Sequence, residues 1–144
     1  LKKNDNERGM TMSEYPKFKM SFGIGSTNEE RLEAFELYHE AFDAVKTGES
    51  VPPEGWELHI NMEINGFPIF LGPSGVERDG LALGIVCELH YDNETDLRKA
   101  YDVLAREGRN CSLEGPYPWA TRLALVTDKY GIGWALYYHG EPEI

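Results

Sequence analysis

Hydrophobic residues fall at every second position in KFKMSFGIG, residues 17–25, where Phe18, Met20, Phe22 and Ile24 alternate with polar or small neighbours. A period of two predicts a β-strand. The next stretch changes period. In STNEERLEAFELYHEAFDAVKTGE the apolar residues Leu32, Phe35, Tyr38, Phe42 and Val45 recur at intervals of three and four, which predicts a helix. Ser, Thr and Asn precede it, with Glu29 and Glu30 placed for a capping box. Beyond a loop at Pro52 and Pro53, alternation returns in WELHINMEINGFPIFLG, a hairpin with Asn65 and Gly66 as its turn. Counting back from that turn puts Leu58, Ile60, Met62 and Ile64 on the helix-facing side and Glu57, His59, Asn61 and Glu63 on the other.

The second half repeats this order. LALGIVCELH predicts a strand, and DNETDLRKAYDVLAREG a helix with Asn93 as cap, Leu97, Ala100, Tyr101 and Leu104 as stripe and Gly108 as stop. CSLEGPYPWA reads as a loop or short edge strand. TRLALVTDKYGIGWALYY is a second hairpin, its strands 121–127 and 132–138 joined by Asp128, Lys129, Tyr130 and Gly131. With Thr127 opposite Ile132, Val126 faces Gly133, Ala124 faces Ala135 and Arg122 faces Tyr137, while Leu123, Leu125, Trp134 and Leu136 form the buried face. From the residues alone, the chain is two βαββ units packed as one domain.

Length supports that reading, since 144 residues make one domain with a real core. Residues 1–15 lack periodicity and are expected to be a flexible extension, with Met10 and Met12 as candidate natural starts; the domain is expected to span 16–144. A net charge of -11 argues against nucleic acid, whose phosphates require a basic footprint. No apolar run approaches the roughly 18 residues of a membrane span, and no secretory leader is visible, so a soluble, cytoplasmic protein is expected, with no membrane partner. Cys87 and Cys111 lack metal-type spacing and read as free thiols.

Four segments in sequence, AFELYHEAFDA, LHINMEINGFPIFLG, DLRKAYDVLAREG and PWATRLALVTDKYGIGW, resemble the PhnB-like branch of the vicinal oxygen chelate superfamily. That superfamily includes glyoxalases, extradiol dioxygenases, fosfomycin-modifying enzymes and bleomycin resistance proteins, and the resemblance covers nearly the whole chain after the extension. It implies an α+β fold of two βαβββ-type modules, about 16–75 and 79–140, forming a half-open mixed barrel with helices outside and a ligand cup inside. It also implies a homodimer. Enzymes of the superfamily place a His or Gln on the first strand of each module and a Glu on the last, together holding a metal. Here the last-strand positions correspond to Ala135 and Phe70, which cannot ligate. The first strand has no His, Gln, Asp or Glu, and the fifth offers only Glu88 and His90. Because an open catalytic metal site needs about three convergent protein ligands, no cofactor is expected. A divalent metal is expected only if a relocated site exists, held by His59, Glu88 and His90.

If the sheet curves as the resemblance implies, His59, Asn61, Glu88, Arg122 and Tyr137 line one cavity, with Trp119 and Tyr117 in the loop ahead of the last hairpin as a lid or an edge cover. The His59 position matches a His often found in PhnB-like sequences. Each residue also has a plainer role: His59 as a hydrogen-bonded sheet histidine, Glu63, Glu88 and His90 as solvated strand ends, Arg122 and Tyr137 as a stacking pair, and His39 as a surface residue. Nucleophile-elbow, phosphate-loop and dinucleotide-binding patterns are absent. Three functions are compatible with this reading, and no catalytic residue is assigned in any of them. They are metal-free binding of a small organic molecule, a metal-dependent lyase or dioxygenase of the glyoxalase type, and a structural or regulatory protein-binding module.

Overall fold

In each half a short strand leads into a capped helix, and three further strands return beside the first. The computed structural model describes residues 18–25, 27–50, 57–72 and 85–143. The expected N-terminal extension, the Pro52–Pro53 loop and the opening residues 81–84 of the predicted fifth strand lie outside the described residues. The first half comprises β1 (Met20–Gly23), α1 (Asn28–Phe42), β2 (Val45–Ser50), β3 (His59–Ile64) and β4 (Phe67–Gly72). The second comprises β5 (Cys87–Tyr91), α2 (Glu94–Ala105), β6 (Arg109–Glu114), β7 (Arg122–Thr127) and β8 (Gly133–Tyr138). These form two four-stranded sheets, ordered β1-β4-β3-β2 and β5-β8-β7-β6. Within them β1–β4 and β5–β8 are parallel and the other pairs antiparallel. The fold is thus α+β, two βαβββ modules whose sheets are mixed and, among the described residues, open with no closed barrel.

Local chemistry explains most of the elements. Thr27 caps α1, its hydroxyl accepting from Glu30 N–H at 3.2 Å and donating to Glu30 Oε1 at 3.3 Å. Asn93 caps α2 by accepting from Asp96 N–H at 2.8 Å. Asn65 and Gly66 have φ of 46° and 84°, the left-handed pair that a two-residue hairpin needs, and Ile64 sits opposite Phe67. Ile60, Met62 and Ile64 are buried as the alternation predicts.

Three expectations are corrected. The first helix stops at Phe42, because Asp43 turns left-handed (φ 57°) and donates to His39 O at 2.9 Å. Val45, expected on the helical stripe, instead opens β2, an edge strand with a register shift between Lys46 and Gly48. The buried face of α1 is Arg31, Ala34, Tyr38 and Ala41, whereas Leu32 is exposed. Arg31 is tolerated there because its guanidinium donates to Ile24 O at 3.0 Å and Asn28 Oδ1 at 2.8 Å.

The third correction concerns the last hairpin, where Thr127 pairs with Gly133 and not with Ile132. Asp128 causes the slip. Its Oδ1 accepts from Tyr130 N–H at 2.8 Å and Ile132 N–H at 3.1 Å, and its own N–H donates to Ile132 O at 2.9 Å, so Ile132 is held in a five-residue loop. One residue of slip exchanges the faces of a strand relative to its partner. Ala124 and Val126 therefore join Trp134, Leu136 and Tyr138 in the core, and Leu123 and Leu125 turn to the other face beside Tyr137 and Ala135. β6 forms the outer edge of this sheet, with its own irregularity between Arg109 and Ser112 and Asn110 at φ 54°.

One hydrophobic core spans both modules. The Trp134 ring lies 5.9 Å from Phe22, 5.6 Å from Tyr38 and 4.6 Å from Phe42 between centroids. Buried Asp128 ties the same region together, its Oδ2 accepting from Tyr38 O–H and Trp134 Nε1–H, each at 2.8 Å. Both cysteines are free: Cys87 is half-buried in β5, where burial pushes its thiol pKa up, and Cys111 is exposed in β6.

Candidate functional site

With the helix-facing positions assigned to the core, the opposite face of each sheet is the candidate cup wall. On the first sheet this face carries His59, Asn61 and Glu63 of β3, with Asn61 opposite Phe70 of β4. Lys19, just ahead of β1, donates to Asn61 Oδ1 at 2.8 Å and lies 5.7 Å from the centre of the Phe70 ring. The His59 ring meets Phe70 edge-on at 5.2 Å. This wall therefore joins one aromatic ring, one imidazole, one amide and one ammonium group.

The second sheet builds a denser group. Glu88 lies opposite Ala135 and His90 opposite Tyr137 on the β5–β8 pair, while Leu123 and Leu125 continue the face onto β7. The His90 ring stacks on Tyr137 with centroids 4.8 Å apart and planes within 8°. Its Nε2 is 3.3 Å from Glu88 Oε2, and its Nδ1 is 3.1 Å from His139 Nε2. His139 was not a sequence candidate. It lies one residue past β8, yet two residues after Tyr137, and continuing the strand alternation by one step would have found it.

At the far edge, Trp119 is exposed and stacks on Tyr117 with ring centroids 4.6 Å apart. Tyr117 O–H donates to Glu114 Oε1 at 2.8 Å, a hydrogen bond that holds the phenol above its ordinary pKa. The aromatic pair is thus anchored to the last residue of β6.

Arg122 is a correction. The register that turns β7 over places it opposite Tyr138, on the helix-facing side and away from Tyr137. There its Nε is 3.4 Å from Glu94 Oε2, and Arg98 Nε donates to the same oxygen at 2.8 Å. Glu94 is fully buried at the start of α2. Burial alone would raise its carboxyl, but the Arg98 hydrogen bond and the charges of Arg122 and Arg98 outweigh it and hold the pKa below the ordinary range. Its stabilising contribution is therefore complete above the unfolded-state value of about 4.3 and is lost as pH falls through the lower folded-state value. Glu94→Gln is expected to flatten the acid limb of a plot of melting temperature against pH. An unchanged limb would remove Glu94 from the acid response.

The structure brings Glu88, His90 and Tyr137 together, and His59 with Asn61, but among the described residues no hydrogen bond, ion pair or ring contact joins the two groups. Nor do any three His, Cys, Asp or Glu side chains among the described residues form a group that could hold a metal ion. Phe70 and Ala135 both lie on the cup-side faces, next to Asn61 and Glu88 respectively.

No protein-family profile matches the chain. An uncharacterised protein of Mycobacterium bovis is 28% identical over 117 residues, which cover 76% of this chain and 74% of that one. A Mycobacterium tuberculosis protein matches equally over 66% of its own length. Among solved structures, a PhnB protein from Bacillus cereus superposes with a TM-score of 0.69 at 21% identity, covering 85% of this chain and 98% of that one. The fosfomycin resistance protein FosX of Listeria monocytogenes, in a complex with Mn(II) and dihydroxypropylphosphonic acid, gives 0.62 at 12% identity, over 88% and 93%. A glyoxylase/bleomycin resistance protein/dioxygenase domain from Frankia gives 0.56 at 12% identity, over 90% and 100%. The resemblance read from the sequence holds at the level of the fold, which the chain shares with these solved structures.

Proposed function

We propose that the protein binds a small organic molecule against the cup-side faces of its sheets, without a metal at the positions that enzymes of this fold use. The observation that carries this reading is the pair Phe70 and Ala135. Both lie on the cup-side faces, where an aromatic ring and a methyl group replace the carboxylates expected of a chelating enzyme, while His59, Asn61, Glu88, His90 and Tyr137 remain beside them. Such a surface offers ring faces for stacking, Leu123 and Leu125 for apolar contact and a few polar groups for orientation, the usual make-up of a small-molecule site. The Listeria neighbour in fold holds a small phosphonic acid together with Mn(II), which supports the size of the ligand and not the absence of a metal.

The binding unit is a homodimer on this reading. Phe18, Phe67, Ile85 and Val86 are exposed apolar residues at or beside the edge strands β1 and β5, surface that a second copy would cover. A cytoplasmic setting fits the two free thiols. Among the described residues, no helix is long and apolar enough to cross a membrane.

The test is an NMR screen of the isotope-labelled protein against small organic acids, phosphonates and aromatic cations. The expected result is a ligand whose saturable shifts centre on His59, Asn61, Glu88 and Tyr137 and persist in excess EDTA. Shifts that never reach these residues, or that vanish with EDTA, would overturn the reading.

A further inference from the structure

We propose that His90 and His139 form a two-imidazole site for a borderline transition-metal ion such as Zn(II), Ni(II) or Cu(II), at the exposed end of the β5–β8 pair. The site uses neither Ala135 nor Phe70, and it does not rest on the proposed binding of an organic molecule.

Spacing is the first support. Imidazole nitrogens bind Zn(II) at about 2.0–2.1 Å, so two nitrogens in neighbouring coordination positions sit about 3 Å apart. His90 Nδ1 and His139 Nε2 are already at 3.1 Å, with ring planes within 9°. At this separation an N–H of one neutral ring can donate to the lone pair of the other, and a metal ion can take that proton's place if His139, which is exposed, rotates slightly so that both lone pairs converge.

Orientation is the second support. Glu88 Oε2 lies 3.3 Å from the other nitrogen of His90. A carboxylate in that place fixes the tautomer: Nε2–H donates to Glu88, and the Nδ1 lone pair is left for the ion. This carboxylate–histidine–metal order is how ligating imidazoles are commonly held. Tyr137, stacked on the His90 ring and parallel to the His139 ring 5.9 Å away, restrains the plane in which both nitrogens lie.

Electrostatics adds a third. His90 also borders a cleft of about 430 Å³ whose other walls include Asp43, Asp92 and Asp96. Three carboxylates against the single ammonium of Lys99 on the same walls leave the cleft net acidic, which raises the local concentration of cations, and the chain as a whole carries a charge of -11. Nitrogen donors then select among those cations, because imidazole suits Zn, Ni and Cu whereas Mg and Ca prefer oxygen. With two protein ligands the remaining positions go to water, so the bound ion exchanges readily.

The experiment uses the full chain without a polyhistidine tag. Calorimetric titration with ZnCl2 and NiCl2 is expected to show one site, and MgCl2 none. Substoichiometric CuCl2 is expected to broaden the amide signals of residues 88–91 and 137–140 first. His90→Ala and His139→Ala should each weaken Zn(II) binding more than about tenfold, and Glu88→Gln about tenfold, the usual effect of losing an outer-shell partner. Absence of Zn(II) and Ni(II) binding would overturn the proposal. So would affinity unchanged in either histidine variant, comparable binding of Mg(II), or Cu(II) broadening centred on the acidic helix surface. The copper experiment on the unsubstituted chain stands even if a variant folds poorly.

Discussion

Replacing Asp128 with alanine is expected to cost about 2–6 kcal/mol of folding stability, about 1–3 kcal/mol for each of the two buried side-chain donors that lose their acceptor. The carboxylate is completely buried and receives four donors: Tyr38 O–H, Trp134 Nε1–H and the N–H groups of Tyr130 and Ile132. Burial pushes its pKa above the ordinary aspartate value, and the four donors pull it back only in part. Alanine would leave the Tyr38 hydroxyl and the Trp134 indole N–H buried without their acceptor, each at about 1–3 kcal/mol. Asp128→Asn should fall between alanine and wild type, since its amide carbonyl can still accept but its NH2 must face a donor. Tyr38→Phe, which deletes one donor and leaves the rest, should cost about 1 kcal/mol. Urea unfolding midpoints at neutral pH measure all three. If Asp128→Ala were within 1 kcal/mol of wild type, the carboxylate would be incidental to the junction of the modules.

Trp134→Ala should be comparably damaging, at about 3–5 kcal/mol, the usual cost of truncating a buried aromatic residue. Its ring fills the space between β1, α1 and β8, touching Phe22, Tyr38 and Phe42. Truncation opens a cavity that neither module can close alone, and it removes one of the four donors to Asp128. The two alanine substitutions share that hydrogen bond, so the double variant should lose less stability than the sum of the singles. Full additivity in the same urea experiment would mean that the indole acts only through packing.

Where a local signal fixes geometry within a few residues, the sequence was a sound guide. The Asn65–Gly66 turn pins the register of β3 against β4, so the faces of His59 and Asn61 followed by counting. Both helix starts followed from Thr27–Glu30 and from Asn93. Failures came where a side chain overrode the pattern. Asp128 captures Ile132 into the loop, and that one-residue slip sent Arg122 under α2 to Glu94 rather than beside Tyr137. β2 was invisible because VKTGES is mostly exposed on both sides and has no alternation to detect. His139 was missed because it lies one residue past the end of β8, where the strand's alternation was not continued. Arg31 was missed because no apolar pattern announces a buried guanidinium held by the Ile24 carbonyl and the Asn28 side chain.

The irregular outer strands β2 and β6 have a consequence for how copies of the chain can meet. Each breaks its ladder, between Lys46 and Gly48 in one case and between Arg109 and Ser112 in the other, so a strand arriving there from another molecule would find mismatched donors and acceptors. The opposite borders, β1 and β5, have no such interruption in their pairing. Stickiness is therefore one-sided in both halves. Molecules joining through their regular borders present only irregular ones outward, which favours a closed, finite assembly over an endless cross-strand fibre.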